Sequence, residues 1–279
     1  MLRSFATLAR SLNMTRTVEE LGFSRQTVRR HINDLQELRG VTLFDFDERK
    51  YSLTTEGKQA LFEAEVLLQR ADYWLNKNAN LINGLPSVNL RLADNLPFHA
   101  QRHPLHAVWS VGPPLLQHGL ERWMQARFQI EHPCFQEIRK YLIIYRKNRD
   151  DWICTEVGER SSYVSWLGWN WAKSAVGSNF ESDPLGNAAD AFVLDAYETV
   201  SRTGGIWYDH ISTKLLRSDS TDVVPVNYQR LVFAMQFPNG EPAIASLVAR
   251  TNNMQIYGFE LTDEDRMPDA ELMEFDLQD

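Results

Sequence analysis

A short cationic segment, residues 24–38 (SRQTVRRHINDLQEL), has the side chains in this sequence whose types and spacing are best suited to binding another molecule. It begins with Ser24, a residue type that caps helices by accepting hydrogen bonds from free backbone N–H groups. Three of the next seven residues are Arg. Val28, Ile32 and Leu35 recur at helical spacing and predict one buried face. The segment is therefore predicted to be a capped helix whose polar face is strongly cationic near its start.

The start of this helix carries side chains that can read DNA. Arg pairs with guanine and Gln with adenine in the major groove, and the first residues of a recognition helix lie closest to the bases. The residues predicted to face base edges are Arg25, Gln26, Thr27 and Arg29. Arg30 and His31 lie further round and are predicted to contact phosphates, with Ser24 as the cap. An ordinary solvated helix is the alternative interpretation.

The residues before this segment predict the elements that would position it. Phe5 and Leu8 mark the buried face of a first helix, and Thr15 or Thr17 is expected to cap a short second helix. Gly22 then allows a left-handed turn at little steric cost. A helix, a short helix, a Gly turn and a third helix make a helix-turn-helix arrangement.

A predicted hairpin follows, at residues 41–54 (VTLFDFDERKYSLT). Apolar residues lead into and out of a polar turn, which is the pattern of a wing. Arg49 and Lys50 lie near its tip and are expected to touch phosphate or the minor groove. A solvated turn remains an equally open interpretation for these two residues.

A long helix is predicted after the wing, with apolar residues spaced alternately by three and four. This heptad seam predicts pairing with a second copy of the helix. The predicted dimerisation residues are Leu61, Ala64, Leu68, Ala71 and Leu75. Two DNA-binding domains on one palindromic site would bind with much higher effective affinity than one.

These pieces together resemble the N-terminal domain of LysR-type transcriptional regulators. The resemblance lies in GVTLF at residues 40–44, LTTEGKQAL at residues 53–61, and the spacing between them and the recognition helix. It implies a winged helix-turn-helix, with Ser24 as the cap and Arg30 as a phosphate contact. The sequence departs from the family pattern at Arg29 and His31, which affects sequence preference. Other bacterial winged-helix repressors are the fallback resemblance.

The remainder predicts a separate α+β domain with an antiparallel sheet. Strands are predicted at residues 141–145 and 152–157, then helices, and then a closing meander that contains the turn Pro238-Asn239-Gly240. This order is similar to a PAS domain, which implies a small-ligand sensor or a dimerisation module. The predicted domains are residues 1–58 (winged helix-turn-helix), 59–83 (dimerising linker helix), 84–140 (connector with helices), 141–260 (PAS-like domain) and 261–279 (loose acidic tail).

Aromatic side chains in this domain suit the wall of an apolar pocket. The candidate ligand-binding residues are Trp152, Trp166, Trp169 and Trp171. A plain role in filling the core is the alternative for all of them. Four histidines in or near the connector do not have metal-ligand spacing, so no metal site is predicted; they are His99, His103, His106 and His118.

The whole-chain composition fits these expectations. A hydrophobic content of 43% is ample for packed cores. A net charge of −8 does not exclude DNA binding, because binding depends on the local electrostatic field around the surface that faces DNA. Cys134 and Cys154 form no disulfide framework and fit a reducing cytoplasm. We expect no signal peptide, membrane span, catalytic motif or cofactor, and leave open an unidentified small-molecule effector.

The sequence therefore predicts a cytoplasmic, dimeric or tetrameric transcriptional regulator rather than an enzyme. Its expected partners are double-stranded DNA and a second copy of itself, with a C-terminal domain that senses a small ligand or mediates oligomerisation. The alternative is a regulatory module whose C-terminal domain binds a partner protein.

Overall fold

The computed structural model of the chain describes residues 1–47, 50–75, 79–91, 96–148, 151–179, 190–216 and 222–275. It divides into two compact units, Met1–Lys77 and Asn78–Asp279.

The N-terminal unit consists of helices followed by a hairpin and a long helix. Its elements are α1 (Leu2–Ser11), α2 (Met14–Leu21), α3 (Arg25–Arg39), β1 (Phe44–Asp47), β2 (Lys50–Leu53) and α4 (Thr55–Leu75). Strands β1 and β2 pair antiparallel, which confirms the predicted hairpin. The core joins α1, α3, the start of the hairpin and α4 through buried apolar side chains, among them Phe5, Leu8, Val28, Ile32, Leu43, Ala60 and Ala64.

The cap of α2 differs from the prediction. Asn13, rather than Thr15 or Thr17, precedes the helix with extended backbone, and its side chain accepts hydrogen bonds from the backbone N–H groups of Thr15 and Arg16. Thr17 is instead fully buried and donates its hydroxyl to the carbonyl oxygen of Asn13. Asn is among the strongest capping residues, so the same residue ends one helix region and begins the next.

The start of α4 explains the LTTEG stretch of the sequence. The Thr54 hydroxyl donates to the carbonyl oxygen of Thr42 at 2.7 Å and accepts from the backbone N–H of Gly57 at 2.8 Å. A Cβ at Gly57 would collide with the carbonyl oxygen of Leu43. The close approach of α4 to the chain entering the wing therefore requires Gly at this position.

The C-terminal unit is built around an antiparallel sheet of eight strands within the described residues. Its strands are β3 (Ala79–Ile82), β4 (Leu85–Arg91), β5 (Pro97–His103), β6 (Leu142–Asn148), β7 (Asp151–Val157), β8 (Ile206–Leu216), β9 (Val223–Gln236) and β10 (Pro242–Arg250). They lie in the order β3-β4-β5-β8-β9-β10-β6-β7.

Helices cover both faces of this sheet. They are α5 (Ala107–Val111), α6 (Pro114–Ala126), α7 (Pro133–Arg139), α8 (Ser162–Ala175) and α9 (Asp190–Thr203). Helices α5, α6 and α7 pack on the face that carries Leu231, Phe233 and Leu247. Helix α9 packs on the opposite face, where Phe192 meets Trp207 edge to face. Side chains alternate between the two faces along each strand, so neighbouring residues serve different cores.

The predicted linker and connector boundaries are wrong in the structure. Helix α4 ends at Leu75, and β3 begins at Ala79 rather than helix continuing to residue 83. Asn83 and Gly84 have φ of 53° and 78° and join β3 to β4 as a tight hairpin. The expected connector, residues 84–140, contributes β4 and β5 to the main sheet and α5–α7 to one of its faces.

The expected loose acidic tail is also packed where it is described. Met267 is buried, and its backbone N–H donates to the side-chain oxygen of Asn252 at 3.0 Å. The Asn227 side chain donates to the carbonyl oxygen of Asp265 at 2.6 Å. Hydrogen bonds to strand residues therefore hold this acidic segment, whose composition alone suggested a solvated tail.

Candidate nucleic-acid interface

Helix α3 begins with the predicted cap. The Ser24 side chain accepts from the backbone N–H of Thr27 at 3.1 Å, and the two hydroxyl oxygens lie 2.9 Å apart. Thr27 is half-buried and takes part in this cap. It was predicted to face base edges, and its hydroxyl lies in the cap at the start of the helix.

The exposed end of α3 carries a group of cationic and polar side chains. The exposed ones are Arg25, Gln26, Arg29 and Arg30. The Arg25 guanidinium donates to the Thr15 hydroxyl at 2.9 Å, which ties it to the first turn of α2. This tether reduces the rotamer freedom that Arg25 would lose on binding a partner.

His31 does not join this exposed group. It is half-buried, its Nδ1 lies 2.8 Å from the Ser4 hydroxyl oxygen, and its ring meets Phe23 edge to face at 5.7 Å. His31 was predicted to contact phosphate, and its position along α3 turns its ring toward α1, where it joins the helices of the unit.

The wing presents an exposed aromatic side chain that the sequence reasoning missed. Phe46 on β1 is 58% exposed and packs beside Tyr51 on β2, with ring centroids 4.7 Å apart. Lys50 is exposed at the start of β2. Arg49, the other predicted wing contact, lies outside the described residues. The alternation of Phe44 and Phe46 along β1 was the available signal for an aromatic face.

A cleft of about 290 Å³ lies between α3 and the wing, and the buried side chains of Leu8, Met14, Ile32 and Phe44 also line it. Arg29, Asn33 and Gln36 line it from the helix, and Phe46 and Tyr51 line it from the hairpin. The Gln36 side-chain oxygen accepts from the backbone N–H of Leu43 at 2.8 Å, so the helix is fastened to the chain that enters the wing.

The predicted dimerisation residues of α4 divide into two groups. Ala64 is buried, and Leu61 packs against the core of its own unit, so neither faces outward. Leu68 is half-buried, Ala71 is exposed and Leu75 is 64% exposed. The heptad positions begin next to the wing, so the first two of them, Leu61 and Ala64, pack on the core of their own domain and face inward. Leu67, which the seam did not include, is 51% exposed.

The tryptophans of the C-terminal unit occupy different environments. Trp152 is fully buried and donates from Nε1 to Glu198 at 2.8 Å, which fits a core role. Trp171 stacks on Tyr163 at 5.5 Å, and Trp169 is exposed. Trp166 is half-buried, and its Nε1 is buried without a hydrogen-bond acceptor among the described residues.

The described residues contain no group of three or more His, Cys, Asp or Glu side chains arranged to hold a metal ion. None of the helices described is long and apolar enough to cross a membrane.

Comparison with known proteins agrees with the geometry of the N-terminal unit. Residues 1–58 match the family model described as the bacterial regulatory helix-turn-helix protein, lysR family. The chain is 38% identical over 71 residues to the Hca operon transcriptional activator HcaR of Escherichia coli (strain K12), covering 25% of this chain and 24% of HcaR. It thus spans about a quarter of the length of this curated relative.

Solved structures match a similar share of the chain. The DNA-binding domain of BenM in complex with catB site 1 DNA is 26% identical, covering 26% of this chain and 83% of that one, with a TM-score of 0.26. A LysR-family regulator from Eggerthella lenta is 35% identical, covering 23% and 91%, with a TM-score of 0.22.

The fold and the family match define the N-terminal segment. Residues 1–58 form a LysR-type helix-turn-helix domain, as the sequence resemblance predicted. Each of these relatives and structures is matched over about a quarter of the chain.

Proposed function

We propose that this protein is a DNA-binding transcriptional regulator that places α3 in the major groove. The observation that carries the proposal is the exposed group Arg25, Gln26, Arg29 and Arg30 on a capped helix of a LysR-type domain. A recognition helix meets DNA with its N-terminal residues, where these side chains lie. Arg30 supplies charge for a phosphate contact, and Arg25 and Gln26 offer hydrogen bonds to base edges.

The proposal is tested by selecting duplexes from a random DNA pool with the purified full-length chain. We expect an enriched sequence motif, and weaker binding as salt concentration rises, because phosphate contacts release counterions. Replacement of Arg25, Gln26 and Arg30 together by Ala is expected to abolish the enrichment. Arg39→Ala is the matched control, because Arg39 lies in the last turn of α3 and pairs with Glu63 at 2.8 Å. Equal enrichment by the triple variant would exclude α3 as the reading element.

We further propose that two copies pair through the outer part of α4. Support comes from the exposed apolar side chains Leu67, Ala71 and Leu75, which recur every four residues and so share one helix face. Leu75→Glu combined with Leu67→Glu is expected to convert a dimer into a monomer in sedimentation equilibrium. Glu63→Lys, an exposed charge change on the same helix, serves as the control. An unchanged mass for the double variant would argue against this interface.

The C-terminal unit is proposed to be a PAS-like sensor domain. Its strands β7-β6-β10-β9-β8 are neighbours in that order, with α8 and α9 between the second and third strands of the chain order. This order and helix placement are typical of PAS domains. Trp166, whose ring lies 5.4 Å from Tyr228, offers a buried indole N–H without a described acceptor, a group that a small polar ligand would satisfy.

The sensor proposal is tested by native mass spectrometry of the purified full chain. A bound small molecule whose occupancy falls in Trp166→Phe, which removes only the indole N–H and part of the ring, is the expected result. Trp169→Phe is the control, because Trp169 is exposed. A chain that carries no small molecule but captures a partner protein through the C-terminal unit would favour the interaction-module alternative.

A further inference from the structure

We infer that the cleft between α3 and the wing grips one sugar-phosphate strand of the DNA, with Arg29 as a backbone contact and Phe46 as a packing surface for deoxyribose. This rests on the proposed function, since it requires α3 in the major groove. It extends that function by separating the side chains that position the protein from those that read sequence. It also reassigns Arg29, which the sequence predicted to face base edges.

When a winged helix-turn-helix domain binds DNA, its geometry requires a sugar-phosphate strand between α3 and the wing. When α3 lies in the major groove, a wing beside it reaches toward the adjacent minor groove. One sugar-phosphate strand runs between any major groove and the minor groove next to it. That strand must therefore pass between α3 and the wing, where the chain has an open cleft of about 290 Å³.

The helix side of the cleft suits phosphate. Arg29, Asn33 and Gln36 are spaced i, i+4 and i+7, so they form one flank of α3. Arg29 and Asn33 are exposed and offer N–H donors, whereas the Gln36 side-chain oxygen is engaged by the backbone N–H of Leu43. A guanidinium with an amide donor one turn further on matches the oxygens of a phosphodiester.

The wing side of the cleft suits sugar. Phe46 presents an aromatic side chain with more than half its surface exposed, supported from behind by Tyr51. The C–H surface of deoxyribose is apolar and would cover this ring. Asp45 and Asp47 alternate with Phe46 along β1, so they belong to the other side of the hairpin and do not oppose the phosphate in the cleft.

Arg29 and Gln26 therefore have different predicted roles. Phosphate contacts fix the register of a protein on the duplex and carry no sequence information directly, whereas contacts with base edges specify it. Arg29 lines the cleft with the wing residues, while Gln26 is exposed and is not part of the cleft lining.

The test uses the duplex that the wild-type chain selects from a random pool, and an unrelated duplex of equal length. Arg29→Ala is expected to weaken binding to both about tenfold, to keep the selected motif, and to reduce the salt slope by about one. Phe46→Ser is expected to weaken both duplexes and leave the salt slope as it is. Gln26→Ala is expected to weaken only the selected duplex. Arg39→Ala, outside the cleft, should change none of these.

A second measurement locates the contact. Duplexes that carry one neutral methylphosphonate at successive positions are bound to the wild type and to Arg29→Ala. We expect one position, or two adjacent ones, at which neutralisation weakens wild-type binding but not binding by Arg29→Ala. If Arg29→Ala instead alters the preferred base, or if no such position exists, the inference is overturned. Failure of the wild-type chain to select any motif would count against the proposed function itself, and the two failures are thus distinguishable.

Discussion

Arg29 and Arg30 in the N-terminal unit are exposed, whereas Arg230 in the C-terminal unit is 2% exposed and lies against Asp209, which is 0% exposed. The two Arg230–Asp209 hydrogen bonds measure 3.1 and 2.5 Å, and Trp207 donates from Nε1 to the same carboxylate at 2.7 Å. The N-terminal unit exposes these two guanidinium groups, and the C-terminal unit uses that of Arg230 internally.

The buried pair also shows what internal charges do for a sheet. Burial alone would lower the pKa of Arg230, but the Asp209 carboxylate outweighs this and holds that pKa above its ordinary value. Asp209 and Arg230 are direct cross-strand partners in the β8–β9 register. A shift of this register by one residue would leave both charges buried without each other, so the pair helps to specify the register.

The largest expected effect comes from breaking this pair. Arg230→Met leaves the Asp209 carboxylate buried without its cation, which is expected to destabilise the C-terminal unit by about 3–5 kcal/mol. Differential scanning calorimetry of the full chain should show one transition lowered by about 10 °C, while the transition of the N-terminal unit stays in place.

The double variant Arg230→Met with Asp209→Leu is the control for this prediction. Replacement of both charges by apolar groups removes the unpaired carboxylate and is expected to recover a large part of the loss. If the single variant melted like the wild type, the buried pair would have no part in holding the sheet together.

The next largest effect should fall on the other unit alone. Gly57→Ala places a Cβ against the carbonyl oxygen of Leu43 and must push α4 away from the wing. We expect a loss of about 2–3 kcal/mol, the scale of overpacking in a tight contact, and a lowered N-terminal transition. Lys58→Ala, exposed on the next position of α4, is the control and should leave both transitions unchanged. A lowered C-terminal transition would show that the two units do not unfold independently.

A buried histidine network is expected to make the stability of the C-terminal unit depend on pH. The backbone N–H of Gln255 donates to His210 Nδ1 at 3.0 Å, so Nε2 carries the proton and donates it to the Tyr208 hydroxyl oxygen at 2.8 Å. The His103 ring centroid lies 4.1 Å from that of His210, with the rings tilted by 39°, and His103 Nε2 lies 2.7 Å from the carbonyl oxygen of Gln255. Burial, and then the charge of His103, lower the pKa of His210 to about 2.

The sign of the pH effect follows from this lowered pKa. An unfolded chain binds a proton at His210 below about pH 6.5, whereas the folded chain does not until near pH 2, so stability falls as pH falls through this range. Between pH 7 and pH 5 we expect a loss of about 1–2 kcal/mol in the C-terminal unit. Hydrogen exchange at the amide of Gln255, corrected for its intrinsic rate, should report the loss as faster opening at pH 5.

His210→Asn sharpens this prediction, because its side-chain oxygen can replace the Nδ1 acceptor but cannot take up a proton. The variant is expected to be less stable at pH 7 and to depend less on pH. His106→Asn, at an exposed position, is the control and should keep the wild-type slope. If stability depended on pH equally steeply in His210→Asn and in the wild type, another titrating group would be responsible for the pH dependence.

The N-terminal unit could be predicted from its sequence because its signals are local. Ser24 lies next to the helix that it caps, and the pairing of Phe44 with Leu53 spans only a short hairpin. The error at α2 arose within this local information, since Thr15 or Thr17 was expected to cap the helix that Asn13 caps.

The sheet of the C-terminal unit could not be predicted in the same way. Strand β5 buries Gln101 and His103, whose polar side chains bind the backbone of Tyr257 and Gln255, so its hydrophobic alternation is hidden. Its partner β8 lies far away along the chain. The Asn83-Gly84 pair was a usable hairpin signal, because both residues favour positive φ, but the predicted boundary between linker helix and connector was placed between them.

The smallest expected effect tests whether local capping matters for the reading head. Ser24→Ala removes the acceptor for the backbone N–H of Thr27 and is expected to destabilise the N-terminal unit by about 1 kcal/mol. Ser24→Asp keeps an acceptor at the same place and should retain most of the stability. Because a frayed first turn no longer holds Arg25 and Gln26 in position, Ser24→Ala should also weaken binding of the selected duplex more than binding of an unrelated one. Equal weakening of both duplexes would mean that the cap stabilises the fold without orienting the residues that read sequence.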